Sequence, residues 1–232
     1  MLRYLAQYGG DGIADYIISL LLSLPIIFLS LSLHETAHGF IAYKLGDPTA
    51  RNLGRLTLNP LKHLDPIGFL CMILAGFGWA KPVPINTRNF KKPRRDIALS
   101  SVAGPVSNLL LAFIFALIYR FSCELILQGI ANAMLTGNSA LAQIWECVYI
   151  FILLAIQMNV TLAVFNLLPI PPLDGSKILY TFLPPKLYFK IAPYERYISI
   201  AFMLLLVTGV ISPVLSTITG YVMDGMFFIV GL

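Results

Sequence analysis

Residues 16–38 read YIISLLLSLPIIFLSLSLHETAH. The 18 residues from Tyr16 to Leu33 carry no charge, and the pentad His34-Glu35-Thr36-Ala37-His38 follows at once. An uncharged run of that length covers most of the hydrocarbon core of a bilayer. On a helix, residues i and i+4 share a face, so both imidazoles can grip one metal ion. Glu35, beside the first histidine, is then placed to take a proton from water. In a soluble helix this pentad often arises by chance. Inside an apolar segment two histidines and a glutamate are expensive, and such groups are functional by default. A hydrolytic metal site at membrane depth implies a substrate that itself lies in the membrane. The competing reading is a proton or ion relay.

The rest of the chain is consistent with a membrane setting. It has 232 residues, 58% hydrophobic and 12% charged, with a mean hydropathy of +0.81. Three further uncharged stretches exceed a bilayer core: Ile97–Tyr119, Cys147–Leu173 and Tyr197–Met223. Pro66–Ala80 is also uncharged but has only 15 residues, Gly68, Gly76 and Gly78 among them, and reads as a re-entrant or hairpin element. The expected fold is an all-α polytopic membrane protein. It has about four transmembrane helices, a small membrane-associated β-hairpin or re-entrant element, and a short C-terminal segment. The whole of 1–232 reads as one membrane unit, with a core over about 16–185 and a last span and tail over 195–232. The first run lacks a small-residue cleavage site and reads as a retained span rather than a signal peptide. Cys71, Cys123 and Cys147 show no CxxC spacing and imply neither a disulfide framework nor a thiolate zinc site.

Charge placement sets an expected orientation. Of 16 Lys and Arg residues, 14 fall between the first and second or the third and fourth uncharged stretches, leaving only Arg3 and Arg120. The positive-inside rule makes that side cytoplasmic and both termini external. The site then lies nearer the cytoplasmic face. The cluster Lys91–Arg95 lacks interleaved aromatics and adjoins a span, so it fits an anionic lipid surface rather than nucleic acid.

The connecting segments add candidates. Gly46-Asp47-Pro48 ends the histidine helix. Arg51–Leu58 reads as a short strand, paired with a hairpin that leads into Gly76-Phe77-Gly78-Trp79-Ala80-Lys81-Pro82-Val83-Pro84. An unpaired edge there can accept an added strand. Residues 121–141 read as a short external loop. Asn108 and Asn166 are amides at membrane depth; with Gly76 and Gly78 they are the candidate substrate contacts, although the commoner role of an amide such as Asn108 is a hydrogen bond to a neighbouring helix. Asp174 follows Pro169, Pro171 and Pro172, and irregular backbone at that depth is tolerated where it lines a cavity. A hydrolytic zinc site takes three protein ligands and keeps a fourth position open. His34 and His38 supply two. The third is His63, a carboxylate or Cys71, with Asp174 the strongest carboxylate.

Taken together, these residues resemble the site-2 protease family of intramembrane zinc metalloproteases. His34-Glu35-Thr36-Ala37-His38 is similar to the family's first motif. Asn166-Leu167-Leu168-Pro169-Ile170-Pro171-Pro172-Leu173-Asp174-Gly175 is similar to its second. Ala103-Gly104-Pro105 with Asn108, and the segment Gly76–Pro84, also look familial. The similarity covers most of residues 20–185 and resembles the compact prokaryotic branch without a PDZ insertion. It implies one zinc ion per chain on His34, His38 and Asp174, Glu35 as general base, and a membrane-protein or peptide substrate cut within or beside its transmembrane segment. A transporter and an inactive chaperone on the same scaffold are the alternatives. The absence of internal repeats weighs against the first, and the presence of Glu35 against the second.

Overall fold

The computed structural model describes residues 12–75 and 78–232. The histidine segment is one helix, α1 (Gly12–Lys44), about 50 Å long at 1.5 Å per residue. It ends where Gly46 takes a φ of 112°, a conformation that glycine adopts without steric cost. The backbone N–H of Asp47 then closes on the Ala42 carbonyl at 2.9 Å.

Beyond it the expected strand over 51–58 is absent. A helical turn, α2 (Thr49–Asn52), stands at its start. The carbonyl of Thr57, which a ladder would have used, instead accepts the Thr36 hydroxyl and the His63 ring nitrogen, each at 2.8 Å. The expected β-hairpin is likewise not found among the described residues. Pro66–Ala75 is a helix, α3, whose N-terminal amides at Ile67 and Gly68 are capped by the Asp65 carboxylate. The chain returns as an extended strap over 78–86 that makes a single antiparallel bridge, Leu64 to Ala80. Pro82 and Pro84 have no N–H to extend a ladder. Packing of the strap on α3 is close: a Cβ at Gly68 would lie 2.2 Å from the Trp79 carbonyl oxygen.

The second uncharged stretch is part of a longer helix, α4 (Pro93–Leu135), of 43 residues. The expected loop over 121–141 shrinks to a turn at Thr136-Gly137-Asn138, where Gly137 has a φ of 69°. The helix continues because residues 120–135 find a partner in α5 (Ser139–Leu167). Gly129 lets the Trp145 indole approach to where its own Cβ would be 2.5 Å away, and Ile126 and Ala133 are buried. Along the α4–α5 seam Ala112, Ala116, Ala155 and Ala163 are fully buried. Small side chains of this kind let helices approach in lipid, where burial of apolar surface gives no net drive.

Residues 169–173 lead into α6 (Asp174–Phe182), then α7 (Pro185–Ile191), α8 (Glu195–Thr208) and α9 (Ser212–Val230). Tyr197–Met223, expected as one span, is broken at Gly209, which has a φ of 75°. The described residues thus contain five helices long and apolar enough to cross a membrane, not four: Ile17–Lys44, α4, α5, Pro185–Thr208 and α9. Their outward faces present Leu21, Leu110, Leu204 and Phe228. Ring pairs fix the run of the last two. Phe202 of α8 lies on Phe165 at the Asp174 end of α5, whereas Phe227 of α9 lies on Tyr119, which also meets Tyr149, 16 residues or about 24 Å from Phe165 along α5. Together α8 and α9 carry the chain from the metal-ligand end of the bundle towards the other end.

Candidate metal centre

The pentad lies in the last third of α1, and α4 crosses it with its Ala103-Gly104-Pro105 turn. A Cβ at Gly104 would fall 2.4 Å from His38 Nε2 and 2.6 Å from His34 Nε2. Only glycine lets α4 pass this close to both rings. Each imidazole is also held at its far nitrogen. His34 Nδ1 donates to Asn108 Oδ1 at 2.6 Å, and His38 Nδ1 donates to the Ser100 carbonyl at 2.6 Å. The orientation of the Asn108 amide is forced, because its Nδ2 donates to the Ser30 carbonyl and to Asn159 Oδ1. With oxygen facing both Nδ1 atoms, both protons sit there and both Nε2 lone pairs are free to bind a metal.

Asp174 completes the group from 136 residues beyond His38. Leu173 is extended, and Asp174 opens α6 in a position fixed by Gly175, where a Cβ would strike the Leu167 and Leu168 carbonyls at 2.3 Å. Asp174 Oδ2 lies 3.2 Å from His34 Nε2 and 2.9 Å from His38 Nε2, and the two Nε2 atoms are 3.0 Å apart. All three side chains are buried. Donors at the usual 2.0–2.1 Å from a tetrahedral zinc stand about 3.3 Å from one another, close to the spacing found here. The second carboxylate oxygen, Oδ1, receives Lys177 Nζ at 2.9 Å. Two neutral imidazoles and one carboxylate, converging and held from behind, form a donor set suited to zinc with an open position.

The other expected residues fall as follows. Glu35 is half-buried and stands outside the ligand triangle; its Oε2 accepts the Val83 backbone N–H at 2.8 Å. Asn108, read as a bond to a neighbouring helix or a substrate contact, takes the first role: it is fully buried with its amide engaged by His34, Ser30 and Asn159, and it holds a ligand in place. Asn166 is half-buried and turns its Nδ2 back to the Leu162 carbonyl at 2.9 Å. Gly78 lies exposed on the strap, whereas Gly76 lies outside the described residues. His63, one of the residues left open as a third ligand, is buried and spends Nε2 on the Thr57 carbonyl, away from the centre.

Several residues that support the centre receive no site role from the sequence. Ser100 acts through its backbone carbonyl, which any residue would supply. Asn159, buried one helix away, closes the network behind Asn108 and donates in turn to the Ala155 carbonyl at 2.9 Å. Asp47, read only as part of a helix stop, is fully buried and ties the strap to α1. Its carboxylate accepts the Asn86 N–H and Asn89 Nδ2, both at 2.7 Å, and the Thr49 N–H at 3.1 Å. Burial alone raises this carboxyl; the bonds from Thr49, Asn89 and Asn86 outweigh it and hold the group below the ordinary carboxylate range. Arg55 secures the other end of the strap by donating to the Lys81 carbonyl at 2.8 Å.

A helical membrane bundle with a His-His-Asp centre and a neighbouring glutamate defines a membrane metalloprotease in outline, and comparison with known proteins gives it a family. Residues 23–207 match the sequence profile of peptidase family M50, and the chain belongs to that family. It is 45% identical over 210 residues to YwhC of Bacillus subtilis, described as a candidate zinc metalloprotease; the match covers 88% of this chain and 89% of YwhC. It is 32% identical over 185 residues to Rip2 of Mycolicibacterium smegmatis, described in the same terms, covering 78% of this chain and 64% of Rip2. No solved structure matches the chain. The protein is a zinc metalloprotease of the membrane.

Proposed function

We propose that this protease hydrolyses peptide bonds within or beside the transmembrane segments of other membrane proteins, as in regulated intramembrane proteolysis. The observation that carries the reading is the position of the ligand triangle within the bundle. His38 is six residues, about 9 Å, from the end of α1, whereas the helix runs on for 22 residues, about 33 Å, beyond His34. Water therefore reaches the triangle by its shorter path from that nearer end, and the bond that is cut lies at that depth of the bilayer. The positive-inside rule makes the nearer end the cytoplasmic end in a prokaryotic inner membrane.

In this mechanism His34, His38 and Asp174 hold the zinc ion, which when bound lowers the pKa of water and polarises a carbonyl. Asn108 and the Ser100 carbonyl keep both Nε2 lone pairs directed inward. Glu35 takes the proton of the attacking water and returns it to the leaving amine nitrogen. The Val83 N–H holds Oε2 of Glu35, so that Oε1 is presented for this transfer. A helical substrate must unwind to expose its carbonyl, and the extended strap at Gly78–Ala80 offers backbone groups to pair with the extended form. Glu35→Gln keeps the size of the side chain and removes the base. It should retain about one zinc per chain, as a single three-ligand site requires, and lose cleavage by several orders of magnitude. Cleavage at a near wild-type rate would remove Glu35 from this role.

A further inference from the structure

From the metal centre, two helices lead to a second site. On α4, Arg94, Ile97, Ser101, Gly104 and Asn108 recur at spacings of three and four and share one face. Gly104 and Asn108 touch the imidazoles. Ile97 and Arg94, about 10 and 15 Å further along the axis, line a cavity of about 730 Å³. On α6, Asp174 is a metal ligand, and Lys177, Tyr180 and Thr181 line the same cavity from the following turns. Its far wall includes Glu195 and Arg196 from the start of α8.

The charge of this cavity is unbalanced. Arg94, Lys177 and Arg196 face it against the single carboxylate of Glu195. Lys177 is paired with Asp174, and neighbouring Arg95 is paired with Asp96 at 2.7 Å. Among the described residues no carboxylate lies within salt-bridge distance of Arg94 or Arg196. Tyr180 and Tyr188, with ring centroids 5.4 Å apart, supply an aromatic wall.

We propose that this cavity is a specificity subsite for acidic side chains of the substrate, on the flank that leaves the metal centre along α4 and α6. The inference rests on the protease reading above. An extended peptide advances about 3.3 Å per residue. A substrate with its scissile carbonyl at the triangle therefore reaches Ile97 about three residues away and Arg94 about five residues away. Asp or Glu at those positions meets two unpaired guanidiniums in a half-enclosed site. The peptide is favoured as occupant over a lipid headgroup because both walls of the cavity are continuations of the helices that carry the metal ligands.

The test uses the full-length, zinc-loaded chain in neutral detergent, with Glu35→Gln as the binding form. The probes are fluorescent peptides with one Leu-rich segment followed by a Glu, Gln or Lys block. The Glu peptide should bind about five- to tenfold more tightly than the Gln peptide, and the Lys peptide most weakly, as expected for two partly exposed ion pairs. The double variant Arg94→Glu/Arg196→Glu should invert that order while zinc stays at one per chain. The milder Arg94→Gln/Arg196→Gln should bring the Glu-to-Lys ratio close to one. Equal binding of all three peptides, or an order unchanged in both double variants, would overturn the proposal. So would a Glu preference that disappears in phosphatidylcholine vesicles once phosphatidylglycerol is added, since the cavity would then hold a lipid headgroup. The two readings separate in the active enzyme. Binding in the predicted order with no peptide cut would count against the protease reading alone. Cleavage of all three at equal rates would count against the subsite alone.

Discussion

At the scale of single residues, the centre depends on groups that do not touch the metal position. Asn108 accepts from His34 Nδ1 and is fully buried. Asn108→Leu leaves that N–H and Asn159 Oδ1 without partners and frees the His34 ring to rotate. Zinc affinity should fall about 10- to 100-fold, the usual cost of losing such a partner, measured by competition with a chelator. Gly104→Ala places a methyl 2.4 Å from His38 Nε2 and should lower zinc content further, because α4 must retreat from both rings. The pentad was legible in the sequence because helical spacing alone brings its histidines together. Asp174 was not fixed by spacing: 136 residues separate it from His38, and reading the residues alone left other ligands open. For Asn108 the sequence leaves two roles open, a bond to a neighbouring helix and a substrate contact. A buried amide at membrane depth satisfies a neighbour or faces a ligand equally well, and only the position of the His34 ring decides between them.

At the scale of elements, the strap is the part that the sequence described least well. Its Gly and Pro content suggested a hairpin, but the proline nitrogens cannot sustain a ladder, and side chains hold it instead. Asp47 is the main fastening, so Asp47→Ala should cost about 2–4 kcal/mol through several lost charge-assisted bonds. It should also slow cleavage, because the strap delivers the Val83 N–H to Glu35. The pH dependence follows from the lowered folded pKa of Asp47. A carboxylate with a depressed pKa contributes stability that is fully present above its unfolded value, about 3.9, and is lost as pH falls through the folded value. The protection factors of the Val83 and Asn86 amides, taken relative to intrinsic exchange at each pH, should therefore hold steady near neutral pH and fall only below about pH 4. Asp47→Asn should lack that acid step. The helices were more legible than the strap, since uncharged length marks a span. Their ends were not: the extension of α4 to Leu135 depends on Gly129 meeting Trp145, and the break at Gly209 lies inside an uncharged stretch.

At the scale of the whole molecule, contacts between distant parts of the chain give the bundle two distinct ends. Lys44, Pro93 and Asp174 lie at one end, because Ser100 meets His38, Asn108 meets His34 and Asp174 meets both. Arg120 and Gly231 lie about 24 Å along α4 from Gly104, on the side of the 136–138 turn, because Phe227 packs on Tyr119 and Gly231 sits beside Arg120. The 14 basic residues of the connecting segments follow the helix ends that meet at the metal-ligand end, and Arg120 stands apart from them. Hydropathy counts five helices able to cross, yet α8 begins beside the ligands and α9 ends beside Arg120, so the pair makes one net passage. Single cysteines introduced at Gly137 and Leu232, in a chain whose three native cysteines are changed to serine, should thus label from the same side. A cysteine at Arg94 should label only from the other. Under the orientation proposed from the positive-inside rule, with the Arg94 side in the cytoplasm, an impermeant thiol reagent should in intact cells reach positions 137 and 232 and spare position 94. Labelling of 94 with protection of 137 and 232 would invert the protein in the membrane and leave the bundle intact. Labelling of 137 and 232 from opposite sides would mean that α8 and α9 cross separately, which the packing of Phe227 on Tyr119 does not allow.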